Sequence, residues 1–166
     1  TQKLGALEIN IHNSLGSALI GARRMDEAEK FLAAGIELAE ASGNESLLTK
    51  LLLNQTSLAK ERGLKLRDAD PAAAQAEFEQ GLAKATQAMT LARQLGNRLD
   101  EAHCIAHSGT MLRLLERYDD AEAALAEALA LGAALTEPYL EAEVMRERGA
   151  LLADTHRLPE ARQCLE

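Results

Sequence analysis

The sequence predicts an all-α protein built from stacked, antiparallel helix pairs. Hydrophobic residues make up 47% of the 166 residues, but aromatic residues only 2%. A large β-sandwich or barrel draws on aromatic and β-branched side chains, and this chain is poor in both. The composition is dominated instead by strong helix formers, namely Ala, Leu, Glu, Arg and Gln. Small residues also recur along the chain at a fixed spacing.

That spacing defines a repeat. Three glycines are each followed twelve residues later by an alanine: Gly16 and Ala28, Gly109 and Ala121, Gly149 and Ala161. Two helices joined by a short turn approach most closely where both carry small side chains. Because a glycine inside a helix costs about 1 kcal/mol relative to alanine, its recurrence indicates packing. We expect each glycine to meet its alanine where paired helices cross.

The second unit of the repeat is longer than the others. A displacement of 41 residues aligns Asn54 with Asn13, whereas a displacement of 53 aligns Gly96 with Gly43. The difference of twelve places an insertion near 63–75, where Asp70-Pro71 is typical of a helix start. We expect two helices each extended by about six residues, or about 9 Å. A flexible loop over the same segment is the alternative.

The resulting prediction is a single helical-repeat domain over 1–166. Helices are expected near 4–22, 26–42, 45–66, 71–95, 98–115, 119–134, 138–154 and 159–166. They form units near 4–44, 45–97, 98–137 and 138–166. The last unit is expected to be truncated, and the domain to be a fragment of a longer protein, because Thr1 is not an initiator methionine.

Several positions match a known repeat pattern. They are Leu15, Gly16, Met25 and Ala28, then Gly109, Tyr118, Ala121, Leu125 and Ala128, and finally Gly149, Leu158, Ala161 and Leu165. This pattern resembles the tetratricopeptide repeat. The resemblance implies a right-handed α-solenoid of about four helix pairs, whose first helices line a concave groove. The spacing of about 40 residues exceeds the usual 34 or so, and the early tryptophan position holds His12, Leu53, Ile105 and Met145.

Longer repeats of this kind are similar to those of bacterial signalling proteins, where they often precede an output domain such as a diguanylate cyclase or a transcriptional regulator. The resemblance therefore implies a scaffold or a sensory and regulatory module. Its expected partner is a protein, a peptide or an adjacent domain of the same chain.

The family's groove positions can be carried over to this sequence. They fall on Asn10, Asn13, Ser17, Asn54, Glu61, Arg62, His103, His107, Thr110, Arg113, Glu143, Arg146 and Asp154. The set lacks the Lys and Asn pairing of carboxylate clamps, so a chaperone-tail binder is not expected. The alternative for each of these residues is an ordinary solvated surface group.

The sequence predicts no enzyme, no metal and no cofactor. His103 and His107 share a helix face, but Cys104 stands where a zinc protease motif has its glutamate, and two ligands are too few. The carboxylate clusters are typical of solvated helix faces. Neither a nucleophile elbow nor a phosphate-binding loop occurs.

Charge and hydrophobicity exclude further classes. The formal net charge of −8 argues against a nucleic-acid-binding surface, because such a surface requires clustered Lys and Arg. The sequence has no run of about 20 apolar residues that would span a bilayer. Cys104 and Cys164 are expected to be thiols in a reducing compartment, so we expect a cytoplasmic protein.

Two other functions remain open. In the first, the chain is a homodimerisation module, because a truncated last helix would leave Leu158, Ala161 and Leu165 without a covering repeat. In the second, it senses a small molecule around His103, His107 and Arg113.

Overall fold

The structure, a computed structural model, describes residues 2–164. Within that range the chain forms eight helices and no strand. They are α1 (Gln2–Gly21), α2 (Met25–Ser42), α3 (Glu45–Leu66), α4 (Pro71–Gln94), α5 (Arg98–Leu114), α6 (Tyr118–Leu135), α7 (Pro138–Asp154) and α8 (Leu158–Gln163). The bounds of α1 to α7 lie within two residues of the expected ones, which confirms the all-α class. The expected end of the last helix, 165–166, lies outside the described residues.

Short joints connect the helices, and in the described chain every joint except that between α3 and α4 contains one residue with positive φ. These residues are Arg23, Gly43, Gly96, Glu116, Thr136 and His156. At the end of α2, for example, the Gly43 N–H donates to the Glu40 carbonyl and the Asn44 N–H donates to the Ala39 carbonyl. This left-handed closure satisfies the last carbonyls of a helix and reverses the chain. Consecutive helices therefore pack side by side as pairs.

The second hairpin is longer, as the insertion predicts. Its helices α3 and α4 have 22 and 24 residues, whereas α5 and α6 have 17 and 18. The turn covers only 67–70, so the alternative of a flexible loop over 63–75 is wrong. Asp70 caps α4 by accepting a hydrogen bond of 3.0 Å from the Ala73 N–H, and Pro71 follows at the first helical position, where its missing N–H costs nothing.

The expected meeting of glycine and alanine needs a correction. Gly16 and Gly109 are buried, but the atoms nearest to the site of a β carbon on Gly16 belong to Leu32, and those nearest on Gly109 belong mainly to Leu125. Each leucine comes one helical turn after the predicted alanine, so the missing β carbon makes room for a large side chain. Gly149 is also buried, and the equivalent partner position, 165, lies outside the described residues.

The odd-numbered helices are adjacent to each other. Helix α1 contacts α3, α3 contacts α5 and α5 contacts α7, whereas within residues 2–164 the even-numbered helices make no such contacts with one another. We call the surface formed by α1, α3, α5 and α7 the odd-helix face. None of the described helices combines the length and hydrophobicity needed to cross a membrane.

Candidate functional site

At one end of the odd-helix face, amide side chains join α1 to α3. The Asn54 Nδ2 group donates a hydrogen bond of 2.8 Å to Asn13 Oδ1. Asn10 is exposed, and its Nδ2 group donates to the Ala6 carbonyl of the same helix at 2.9 Å. Ser17 is exposed as well. The structure thus brings together Asn13 and Asn54, and it leaves Asn10 and Ser17 open to solvent.

At the other end, an arginine joins α5 to α7. Arg113 Nη1 lies 2.7 Å from Asp154 Oδ2, and Arg113 Nη2 lies 3.5 Å from Glu147 Oε2. Arg146 approaches Glu147 from within α7, with 3.1 Å between Nη2 and Oε1. Because Glu147 is buried, these two arginines supply the charge compensation that its carboxylate requires. Arg113 Nε is buried too, but it has no hydrogen-bond partner in the described structure.

Two histidines lie beside this network on α5. His103 Nδ1 is 3.8 Å from Glu143 Oε2 on α7, which is too long for a direct hydrogen bond. His107 lies one turn further along, and its imidazole is partly buried. Burial lowers the pKa of His107, and the nearby Lys60 and His103 lower it further, while Glu143 and Glu147 act in the opposite direction. The neutral imidazole is therefore favoured at this position.

Three of the predicted groove residues are placed differently from the expectation. Thr110 is buried and its hydroxyl donates to the Ala106 carbonyl at 3.2 Å, so it is not available to a partner. The Glu61 carboxylate lies 3.1 Å from Arg23, in the joint between α1 and α2. Arg62 turns towards α2, where Nη2 lies 2.7 Å from Glu29 Oε2.

The position of Arg62 follows from the acidic surface of α2. Its guanidinium lines a small cleft between α2 and α4, together with Glu29 and Glu77. The hydrogen bond from Arg62 lowers the pKa of Glu29, so this carboxylate stays charged in the pair. Arg62 therefore belongs to the side of the even-numbered helices and not to the odd-helix face.

Sequence reasoning missed Glu147 and Lys60. A signal for Glu147 exists, because it follows His107 by 40 residues, just as Glu143 follows His103. The repeat offset therefore predicts two matched pairs on facing helices. Lys60 has no comparable signal, since the offset between α3 and α5 includes the insertion.

Cys104 is held in its unreactive thiol form. Cys104 is fully buried, and burial raises the pKa of its thiol to about 12, so the thiolate that would react or bind a metal is strongly disfavoured. Within residues 2–164 no three His, Cys, Asp or Glu side chains are grouped to hold a metal ion. The odd-helix face thus offers amides, imidazoles and compensated charges, which are groups suited to recognition by hydrogen bonding.

Comparison with known proteins adds no assignment. No protein-family model matches this chain, and no curated protein is significantly similar to it.

Proposed function

We propose that this chain is a protein-interaction module of the tetratricopeptide kind, a right-handed solenoid of about four helix pairs. It acts as a scaffold or as the sensory input of a signalling protein. It binds a peptide, a helix or a neighbouring domain along the odd-helix face. The observation that carries the proposal is the direct contact of α1 with α3, α3 with α5 and α5 with α7. This contact makes one continuous surface from four separate helices.

The chemistry of that surface supports an extended partner. Backbone amides of a peptide match the exposed Asn10 and the half-buried Asn54, because an amide side chain both donates and accepts hydrogen bonds. At the α5–α7 end, His103 and Arg113 are partly accessible. The carboxylates of Glu147 and Asp154 already compensate the charge of Arg113. Recognition there relies on hydrogen bonds and shape more than on net charge.

A peptide-display library selected against the chain tests this proposal. Binding of the selected peptides is measured by titration calorimetry for Asn54→Ala and His103→Ala. As the matched control we use Gln80→Ala, in the cleft on the other side of α3. We expect about a tenfold loss of affinity for the two variants and less than about a twofold change for the control, the contrast between central anchors and bystanders.

The selection can also contradict the proposal. If the peptides bind but Gln80→Ala weakens them as much as Asn54→Ala does, the binding surface is not the odd-helix face. If no peptide, helical or extended, is selected in repeated rounds, the interaction-module assignment fails.

A further inference from the structure

A stripe of exposed apolar side chains runs along α1. Leu4, Leu7, Ile11 and Leu15 are 71%, 57%, 50% and 40% exposed, and we call these four residues the α1 stripe. In the described chain α1 packs only against α2 and α3, so no helix covers them. Isolated exposed leucines are ordinary, but a contiguous apolar patch marks an interaction site.

Helix geometry makes these residues one surface. Their spacings of three, four and four residues place them on a single side of α1, over a length of about 17 Å. At about 100° per residue, Asn13 and Ser17 lie well away from the centre of the stripe, whereas Asn10 borders it at about 60° from Leu7. Covering the stripe therefore leaves the Asn13 part of the odd-helix face open.

The positions of Leu7 and Ile11 are mostly covered in the later odd-numbered helices. Displacements of 41, 93 and 133 residues relate α1 to α3, α5 and α7. They carry Leu7 and Ile11 onto six positions, and five of these are buried apolar residues: Leu48, Leu52, Cys104, Leu140 and Val144. The sixth, Asp100, is polar and partly buried. On α5, the corresponding side packs against the preceding helix, where Met111 contacts Gly81 of α4. The α1 stripe thus has the chemistry of a helix-packing surface.

Charge indicates which occupant fits. The molecule carries a net charge of −8, and α2 alone contains five acidic residues and one lysine. Helix α1 contains a single acidic residue, Glu8. Two copies of an acidic protein repel each other over most of their surfaces, whereas two α1 stripes bring together one carboxylate from each copy, that of Glu8, which borders the stripe between Leu4 and Ile11.

We propose that the α1 stripe is a homodimer interface, in which α1 of one copy packs against α1 of a second copy about a two-fold axis. A two-fold contact uses the same patch on both copies, and a row of leucine and isoleucine side chains is complementary to itself. One helix pair of this length covers less area than the interface of a standard stable complex. The dimer is therefore expected to be reversible, with a dissociation constant in the micromolar range or above. This proposal does not depend on what the odd-helix face binds.

Sedimentation equilibrium of the full chain tests it, at protein concentrations from about 5 to about 500 µM, a range that brackets a micromolar dissociation constant. We expect a monomer–dimer equilibrium. Leu7→Glu and Ile11→Glu should each shift the dissociation constant at least about tenfold towards monomer, because burying an unpaired charge opposes association. Leu7→Ser is a milder second variant. Leu64→Glu, at an apolar residue 40% exposed on α3, is the matched control and should dimerise like the unmodified chain.

Circular dichroism of each variant shows that its helices are intact. A chain that stays monomeric up to the highest concentration overturns the proposal. So does dimerisation that Ile11→Glu and Leu7→Ser leave unchanged. Open-ended assembly into larger species would indicate end-to-end stacking of unlike surfaces and overturns it as well.

Discussion

Arg113 and Asp154 connect α5 to α7 across one repeat, with 2.7 Å between Nη1 and Oδ2. The same guanidinium faces the buried carboxylate of Glu147. This ion pair therefore lies on the odd-helix face and also contributes to the stability of the third and fourth units.

Replacing Arg113 should destabilise the protein, because the buried carboxylate of Glu147 then loses a positively charged partner. We expect Arg113→Met to lower the free energy of unfolding by about 1–3 kcal/mol, because Glu147 then keeps only Arg146 as a partner. Adding Glu147→Gln should recover part of the loss, since it removes the uncompensated charge. Urea unfolding measures both. Arg117→Met is the control, because its ion pair with Asp120 is exposed on both sides, and its effect should stay below about 0.5 kcal/mol.

The lowered pKa of His107 predicts a pH dependence of stability. An unfolded histidine titrates near pH 6.5, whereas the folded chain takes up this proton only at lower pH. Between the two pKa values the unfolded state binds more protons, so stability falls as the pH is lowered through 6.5. Urea unfolding at pH 7.5 and at pH 5.5 should show a smaller loss for His107→Gln than for the unmodified chain. Equal losses would mean that His107 titrates normally.

The contact between Gly109 and Leu125 leaves no room for a side chain. A β carbon on Gly109 would lie 2.8 Å from Leu125 Cγ, so Gly109→Leu should destabilise by about 1–3 kcal/mol through overpacking. Gly5→Ala is the control, because nothing lies near its β-carbon site and alanine favours the helix. Thermal unfolding of both variants checks the prediction, and a neutral Gly109→Leu would place the crossing point elsewhere.

The ends of the elongated hairpin depend on Phe78. Its ring packs against Gly63 of α3 and belongs to a small cluster with Met111 and Leu114 of α5. We expect Phe78→Ala to cost about 3–5 kcal/mol. Hydrogen exchange should then show lost protection over 63–78 while α1 and α2 stay protected. Uniform loss of protection along the chain would show that the hairpin has no local stability of its own.

Thr136 carries backbone strain that glycine would relieve. It adopts φ 54° and ψ 48°, a left-handed conformation that a β-branched residue rarely occupies. The equivalent joint residues Gly43 and Gly96 adopt φ 65°. We expect Thr136→Gly to raise the free energy of unfolding by about 0.5–1 kcal/mol. The reciprocal variant, Gly96→Thr, should lower the free energy of unfolding by a similar amount. A destabilised Thr136→Gly or a stabilised Gly96→Thr would contradict the assignment of strain.

The sequence predicted the helices well because their ends carry local signals. Asn44 and Asn97 cap α3 and α5 by accepting hydrogen bonds from Leu47 and Asp100, and such caps can be read from a few residues. Thr136 lacks a signal of this kind, since a β-branched residue does not by itself favour the left-handed conformation that it adopts.

The candidate site was less predictable because it depends on which helix lies nearby. Arg62 was expected on the odd-helix face, but the acidic side chains of α2 attract it to the other side. Thr110 has a polar side chain at a groove position, yet its hydroxyl bonds to its own helix and tolerates burial. The position of Arg62 and the burial of Thr110 are tertiary effects that spacing alone does not encode, whereas the hydrogen bond of Thr110 is local.

The repeated left-handed joint also determines how the protein can change in length. Gly96 and Thr136 end even-numbered helices 40 residues apart with the same backbone closure. A chain in which Gly96 is followed directly by Glu137 keeps this geometry and brings Leu151 to the place of Met111 against Gly81. Whole units can thus be removed or added at these joints, which changes the length of the odd-helix face by one helix pair at a time.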